Sequence, residues 1–300
     1  MTLPEHPLTV PVTEFRIAGS DGWDLFAYHG EPEGTPRGVV HILAGVGDHV
    51  RRGGFQRLAG ALLAAGFAVS AHDHRSEGGS VASLDQQGQT GPDGWNRLID
   101  DIGVLIGAAH DRHPGVPVVL FAHSLGSFAS QQWILDHSAE IAGLALSGTA
   151  AVDILAANLD PNSPPDLEAF NAPWAPGRTG FEWLTRDEHE VDLYVADPQC
   201  GYTLDDEAMG AMFMGGSVAA DPERLAHVRK DLPIHIAVGD QDPVNAGLAL
   251  VKALEARYAD AGLTDVTVTA WPGARHEILN ETNRDEVVAD IVAFVERVTG

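Results

Sequence analysis

Cysteine is nearly absent from this chain: Cys200 is the one thiol in 300 residues. A single cysteine excludes an internal disulfide and any metal site built from several thiolates, and a reduced, cytoplasmic setting is the expectation. Cys200 reads as a small, half-buried residue rather than a catalytic thiol. Lysine is almost as scarce, with Lys230 and Lys252 the only two, so the remaining bases are arginines. Against 18 basic side chains stand 43 acidic ones, a formal net charge of -25. Such a surface repels nucleic acid and anionic membranes at long range and favours solubility. Long apolar runs are missing too. The best candidate, Leu58 to Ala71, is broken by Gly60 and Gly66 and ends at His72-Asp73, which is too short and too interrupted to span a bilayer. The opening Met1-Thr2-Leu3-Pro4-Glu5 has no basic-plus-apolar leader pattern. No integral membrane segment is expected, and neither an internal repeat nor a low-complexity tract is visible.

What remains is an ordinary globular composition, 44% apolar, long enough for one large α/β domain or two small ones. Val12 to Ile17 and Asp24 to His29 flank Gly19-Ser20-Asp21-Gly22, a hairpin with a polar turn. Further strands are read at Gly38 to Leu43, Phe67 to Ala71, Val118 to Ala122, Ile141 to Leu146, Ile234 to Val238 and Val266 to Trp271. Helices are read at Phe55 to Ala65, Trp95 to Ala109, Phe128 to Leu135, Leu248 to Tyr258 and Glu286 to Val298. Strands alternating with helices imply a mostly parallel sheet. The alternation lapses between Thr149 and Asp231, a stretch rich in Pro, Asp, aromatic residues and Met. The expected organisation is therefore a core of residues 1–148 and 232–300 interrupted by a mostly helical cap, residues 149–231. Most of the cap's large apolar side chains are expected to pack it onto the sheet. A few, with Trp183, Met209 and Phe213 the candidates, are expected to line a substrate cleft, because Met and flat aromatics suit apolar ligands.

The run Val118-Val119-Leu120-Phe121-Ala122-His123-Ser124-Leu125-Gly126-Ser127 is the most informative in the chain. A strand that turns directly into a helix needs small residues two before and two after the turning residue, here Ala122 and Gly126. Ser124 is then pushed out above the sheet at a helix N-terminus, where exposed amides and the positive end of the helix dipole lie. This is the nucleophile-elbow pattern G-x-S-x-G with Ala in its first position. Two more polar groups fall at predicted strand ends, Asp242 and His276, in the chain order Ser, Asp, His. A serine hydroxyl is a weak nucleophile until an imidazole takes its proton, and a carboxylate on the other ring nitrogen holds that imidazole in the right tautomer. Asp240 competes with Asp242 for the acid's place. Asp242 is favoured because it lies further from the strand end and precedes Pro243, while Asp240 can brace the loop. His123 sits inside the turn and reads as structural, though close enough to contact substrate. Acyl transfer also needs two amides aimed at the developing oxyanion. Leu125 N–H, after the nucleophile, and Val46 N–H, in the loop Gly45-Val46-Gly47, are the candidates. That glycine-rich loop lacks the Lys-Ser/Thr of a P-loop and the spacing of a dinucleotide site. No metal or cofactor is implied.

Gly45-Val46-Gly47-Asp48-His49, Asp73-His74-Arg75 through Ser80, the Ser124 turn, Gly239 to Val244 and His276 to Glu281 together make the chain resemble the α/β-hydrolases grouped as monoacylglycerol lipase, lysophospholipase and serine aminopeptidase relatives. Asp197-Pro198-Gln199-Cys200-Gly201-Tyr202 also resembles bacterial lysophospholipase-like members. The resemblance covers nearly the whole chain. It implies an α/β-hydrolase fold of eight mostly parallel strands flanked by helices, with a helical cap over an acyl pocket between the sixth and seventh strands. It also implies Ser124, Asp242 and His276 as triad, and Val46 and Leu125 as oxyanion hole. Three departures stand out: Ala44-Gly45 for the usual His-Gly, Asp73-His74-Arg75-Ser76-Glu77-Gly78 for D-x-R-G-H-G, and Ala122 in the elbow. The expected activity is serine-dependent hydrolysis of a small-molecule carboxylic ester, lipid-like and of small to medium acyl length. An amidase, a lactonase, a non-hydrolytic enzyme on the same fold, or a non-catalytic binding module are the alternatives. Monomer and homodimer are both compatible with the chain.

Overall fold

The structure is a computed structural model that describes residue 3, residues 8–157 and residues 167–300. Residues 158–166 of the expected cap lie outside the described residues, as do residues 1, 2 and 4–7. Along the chain run β1 (Val12–Ala18), β2 (Asp24–Gly30), β3 (Val39–Leu43), α1 (Gly53–Ala64), β4 (Ala68–His72), α2 (Gly94–Arg112), β5 (Val118–His123), α3 (Leu125–His137), β6 (Gly143–Ser147), α4 (Val152–Ala157), α5 (Glu188–Ala196), α6 (Asp206–Ala219), α7 (Pro222–Leu225), β7 (Ile234–Gly239), α8 (Ala249–Asp260), β8 (Val266–Trp271) and α9 (Arg284–Thr299). Every strand and helix expected of the core is present. The elbow helix starts at Leu125, three residues earlier than its apolar spacing suggests, because it opens directly on the strand turn.

The eight strands form one sheet in the order β1-β2-β4-β3-β5-β6-β7-β8. β2 is antiparallel to both its neighbours, and the ladder from β4 through β3, β5, β6 and β7 to β8 is parallel. β3, β5, β6 and β7 are buried along their whole length. That is why they read in the sequence as unbroken apolar runs rather than as alternation: helices cover both faces. Alternate residues serve the two faces. Val119 and Phe121 pack with Phe55, Leu58 and Leu62 of α1 and Val287, Ile291 and Phe294 of α9. Leu120 and Ala122 pack with Leu98, Ile102 and Ile106 of α2, Trp133 of α3 and Leu254 of α8. Each such Val, Leu, Ile or Phe side chain, fully buried, contributes about 1.5–3 kcal/mol of transfer free energy. The edge strands β1 and β8 are only partly buried.

Between β6 and β7 lie α4 to α7 and a 3₁₀ stretch, Leu167–Trp174. α6 crosses α2, α3 and α4. Its Gly216 permits close backbone approach to α4, since a Cβ there would sit 2.6 Å from the amide nitrogen of Asp153. Among the described residues no helix is long and apolar enough to cross a membrane.

The parallel ladder places the carboxyl ends of β3, β5, β6, β7 and β8 along one edge of the sheet, which is where open α/β sheets carry their sites. A buried arginine pins the hairpin end of this edge. Arg75, fully buried, donates through Nε and one terminal nitrogen to Asp101 Oδ2 of α2 at 2.9 and 2.8 Å, and to both carboxyl oxygens of Asp21 in the β1–β2 turn at 3.0 and 3.1 Å. Asp101 also accepts the amide of Ser20 at 2.7 Å. Removing the guanidinium leaves Asp101 charged, buried and short of its partner. Arg75→Met is expected to cost about 3–5 kcal/mol of unfolding free energy, read as a lowered urea midpoint. A loss below about 1 kcal/mol, the level of an exposed pair, would contradict this account.

Candidate active site

Ser124 links β5 to α3 in a single residue, with φ 50° and ψ -120°. This backbone is costly for a residue with a Cβ and persists only where the surroundings enforce it. Here they do. Ser124 N–H donates to Ser147 O of β6 at 2.9 Å, and Ser124 O accepts both the amide and the hydroxyl of Ser127, at 2.8 and 2.6 Å. Gly126 N–H donates to Ala44 O at 3.1 Å, tying the elbow to the loop after β3. A Cβ on Gly126 would meet that same carbonyl at 2.6 Å, so the second glycine of the pattern is dictated by close approach of backbone. At the first position Ala122 lies fully buried between Leu43 and Leu146 on the neighbouring strands, and its methyl is accommodated.

The three polar residues at strand ends meet. Ser124 Oγ and His276 Nε2 are 2.9 Å apart, and His276 Nδ1 and Asp242 Oδ2 are 2.9 Å apart. With Asp242 accepting, Nδ1 carries the proton and Nε2 is the acceptor for the serine hydroxyl. All three are buried, Ser124 at 9% exposure, Asp242 at 1% and His276 at 2%. Asp242 Oδ1 is occupied by the amide of Val244 at 2.9 Å, which fixes the carboxyl plane. The competing acid has another job: Asp240 Oδ1 accepts the amide of Gly273 at 2.8 Å and so joins the loop after β7 to the turn after β8.

The loop after β3 lies against the serine. A Cβ on Gly45 would sit 3.0 Å from Ser124 Cβ. Leu125 N–H opens α3 and has no carbonyl of its own helix to bond, and Val46 N–H makes no hydrogen bond among the described residues. The amide of Leu125 thus follows the serine directly, and the amide of Val46 lies in the loop packed against it. The departures in the surrounding motifs each have a structural reading. His74 Nε2 lies 3.2 Å from Ala44 O, so an imidazole from the β4 loop braces the carbonyl next to Gly45. Glu77, fully buried, accepts the amide of Gly47 at 2.9 Å.

The surroundings of His276 were less legible in the sequence. The ring of Trp183, 4% exposed, packs 4.8 Å from it, and Trp183 O accepts its amide at 3.3 Å. His123 packs 4.9 Å from it on another side, with Nδ1 3.2 Å from Ser147 Oγ. Gly148, at φ 54°, leaves room for both imidazoles: a Cβ there would come within 2.7–2.8 Å of each. Met209 is buried and Phe213 half-buried in the apolar cluster that also holds Leu125, Val46 and Trp183. Thus Trp183 and His123 touch His276 directly, while Met209 and Phe213 share the apolar cluster that holds Trp183. Sequence reasoning missed a buried charge cluster beside the site. Arg52 donates to both oxygens of Glu277, the residue after His276, at 2.5 and 3.0 Å, and to Asp48 Oδ2 at 3.1 Å. Only the adjacency of Glu277 to His276 and of Asp48 to the glycine loop hinted at it.

The strand order, the strained serine turn and the Ser–His–Asp line at the carboxyl edge define an α/β-hydrolase. A family model described as "Serine aminopeptidase, S33" matches residues 34–283, and the chain belongs to that family. A monoacylglycerol lipase of Mycolicibacterium smegmatis is 26% identical over 94% of this chain and 96% of its own length. A monoglyceride lipase of Rattus norvegicus is 25% identical over 92% of this chain and 87% of its own. Among solved structures, a thermostable carboxyl esterase from Bacillus coagulans in complex with glycerol superposes with a TM-score of 0.85 at 26% identity, covering 97% of this chain and all (100%) of that one. The protein is accordingly a hydrolytic enzyme of this fold.

Four buried histidines make the site acid-sensitive. His41, His72 and His74 form a contiguous group: His41 Nε2 is 2.9 Å from His72 Nδ1, and the rings of His72 and His74 are 5.1 Å apart. Burial, with repulsion from the neighbouring imidazoles, depresses His41 and His123 to about 3 and His72 well below its ordinary value. Burial likewise depresses His74, to about 4. The unfolded chain, with its histidines near 6.5, binds more protons than the folded one below that pH. Stability is therefore intact above about pH 6.5 and falls as pH drops toward 4, by up to about 1.4 kcal/mol per pH unit for each histidine. Glu77, pushed well above 4.5, and Asp48, pushed up to about 6, both by burial, act in the opposite direction, two groups against four. Urea midpoints are expected to fall steadily between pH 7 and pH 5; a flat profile over that range would refute the assignment of four neutral histidines.

Proposed function

We propose that the protein is a serine carboxylic-ester hydrolase that cleaves monoacylglycerol-like or other small to medium acyl esters through an acyl-enzyme. The observation that carries this reading is the pair of 2.9 Å contacts running Ser124 Oγ–His276–Asp242 at a strained helix-opening turn. Ser124 Oγ attacks the ester carbonyl carbon while His276 Nε2 takes its proton. The tetrahedral oxygen is received by Val46 and Leu125 N–H. His276 then returns the proton to the departing alcohol, leaving the acyl group on Ser124. Water, deprotonated by His276, repeats the sequence and frees the acid. Asp242 holds the ring and stabilises the imidazolium. Oriented amides in a site closed to water supply the largest share of the rate.

Residues 149–231 are assigned as a cap over the acyl pocket. The helices between β6 and β7 and the packing of Trp183 on His276 support this. The relatives named monoacylglycerol lipase and carboxyl esterase support the substrate class.

Initial rates on p-nitrophenyl esters of increasing chain length, and on 1-monoacylglycerols, are expected to show a chain-length optimum. Ser124→Ala and His276→Ala should each lower kcat by about 10⁴–10⁶. Ester turnover surviving in Ser124→Ala overturns the mechanism. Faster cleavage of amino-acid p-nitroanilides than of esters overturns the substrate class and favours a peptidase reading. A further pair separates the two acids. Asp242→Asn should cost about 10⁴ in kcat, whereas Asp240→Asn should lose well under a tenth of that factor, since its carboxylate bonds the Gly273 amide and Gln241.

A further inference from the structure

Beside the oxyanion loop, a second cluster of side chains has no place in this mechanism. His49 ends the glycine-rich loop after β3, three residues past Val46. Asp197 and Cys200 belong to the turn after α5. The donor atoms of His49, Asp197 and Cys200 all lie within 4.8 Å of one another, with His49 Nε2 3.0 Å from Asp197 Oδ2. The geometry points to a site here for one thiophilic divalent cation of the Zn²⁺ kind, clamping the oxyanion loop to the segment between β6 and β7.

The donor set is one imidazole nitrogen, one sulfur and one carboxylate oxygen, which is the mixture that suits Zn²⁺ and leaves a fourth position open. Zinc bonds of ~2.0–2.3 Å at tetrahedral angles place such donors about 3.3–3.6 Å apart. The observed separations, from 3.0 Å up to 4.8 Å, straddle that range, so small side-chain movements close the site. The ligands are held from behind. Asp48 Oδ1 accepts the amide of His49 at 2.7 Å, Asp197 Oδ1 accepts that of Gln199 at 2.8 Å, and Cys200 N–H donates to Asp197 O at 3.0 Å. The local charge favours a cation: Asp48, Asp197 and Glu277 act on the Cys200 sulfur against a single guanidinium, Arg52. Cys200 is half-buried and the Asp197 side chain keeps 11% of its exposure, so the cluster lies close under the surface. Binding replaces the thiol proton, which leaves to solvent, with a metal–sulfur bond. The two segments already meet at Gly47, whose carbonyl accepts the Tyr194 hydroxyl and the Gly201 amide, each at 3.1 Å. Drawing His49 toward Cys200 would therefore shift the loop that carries Val46, and ester turnover should fall when the site fills.

The single cysteine makes the test specific. Cd²⁺ is titrated into the reduced, chelator-treated full-length Ser124→Ala protein, so that binding is read apart from turnover. A thiolate-to-metal charge-transfer band in the ultraviolet is expected to saturate at one Cd²⁺ per chain, to vanish in Cys200→Ser, and to need at least about tenfold more Cd²⁺ in Asp197→Asn and in His49→Gln. As a second readout, Zn²⁺ should slow alkylation of Cys200 in the folded protein, and much less so in Asp197→Asn. In the enzyme with Ser124 intact, Zn²⁺ should lower ester turnover, and Cys200→Ser should remove that inhibition while leaving the metal-free rate unchanged. Absence of the band, or a band whose affinity is the same in Asp197→Asn and His49→Gln, overturns the site whatever the protein's substrate proves to be.

Discussion

Most of this molecule is arranged to hold one residue, Ser124, in a backbone conformation it would not otherwise keep. At φ 50° and ψ -120° the turn stores strain of order 1–3 kcal/mol. It is over-determined by hydrogen bonds to β6, to α3 and to the loop after β3. The strain has a use. It lets a strand at the centre of a parallel sheet pass directly into a helix, so that the hydroxyl stands at the sheet's carboxyl edge, 2.9 Å from His276 Nε2. A relaxed turn of several residues would move the hydroxyl away from His276. Gly126 follows from the same constraint, because a Cβ there would meet the Ala44 carbonyl at 2.6 Å, and at Gly45 a Cβ would crowd Ser124 Cβ at 3.0 Å.

Around this turn the site is built in depth. His276 is gripped on one nitrogen by Asp242, flanked by Trp183 and His123, and followed directly by Glu277 in its buried pair with Arg52. Arg52 also reaches Asp48 in the loop after β3 and lies over the ring of Tyr194, whose hydroxyl bonds Gly47 O. One guanidinium thus ties together the loop of His276, the loop after β3 and the helix α5. Buried ion pairs are weak evidence for stability, since desolvation offsets much of the attraction, but they hold geometry firmly. The strongly acidic surface contributes nothing to this arrangement. Its bearing is on solubility and on long-range repulsion of other anions.

Much of this arrangement is legible in the order and type of the residues alone. Unbroken apolar runs such as Val118 to Ala122 and Ile234 to Val238 announce strands buried on both faces, because only helix-covered parallel strands can do without a polar side. The order Ser124, Asp242, His276 at three strand ends singles out the site, because parallel strands bring their carboxyl ends to one edge. The preference for Asp242 over Asp240 rests on distance along the loop; Asp242 faces His276, and Asp240 braces Gly273.

Other features had no sequence signal. Arg52, Glu277 and Asp48 are separated by up to 225 positions in the pairing that matters, and nothing in local composition marks an arginine as buried. The three-histidine group of His41, His72 and His74 depends on the register of β3 against β4, which pairs His41 with Ser70 and Leu43 with His72. The low regularity of the segment between β6 and β7 hid the fact that Trp183 packs on His276 and that Asp197 and Cys200 face His49. The division has a physical cause. Periodicity, turn chemistry and chain order depend on neighbours within a few residues, so the sequence by itself determined the α/β class, the elbow and the identity of the three polar residues at strand ends. Which ring lies on which imidazole, which carboxyl meets which guanidinium, and which groups lose water altogether depend on packing between elements far apart in the chain, and only the tertiary structure decided them.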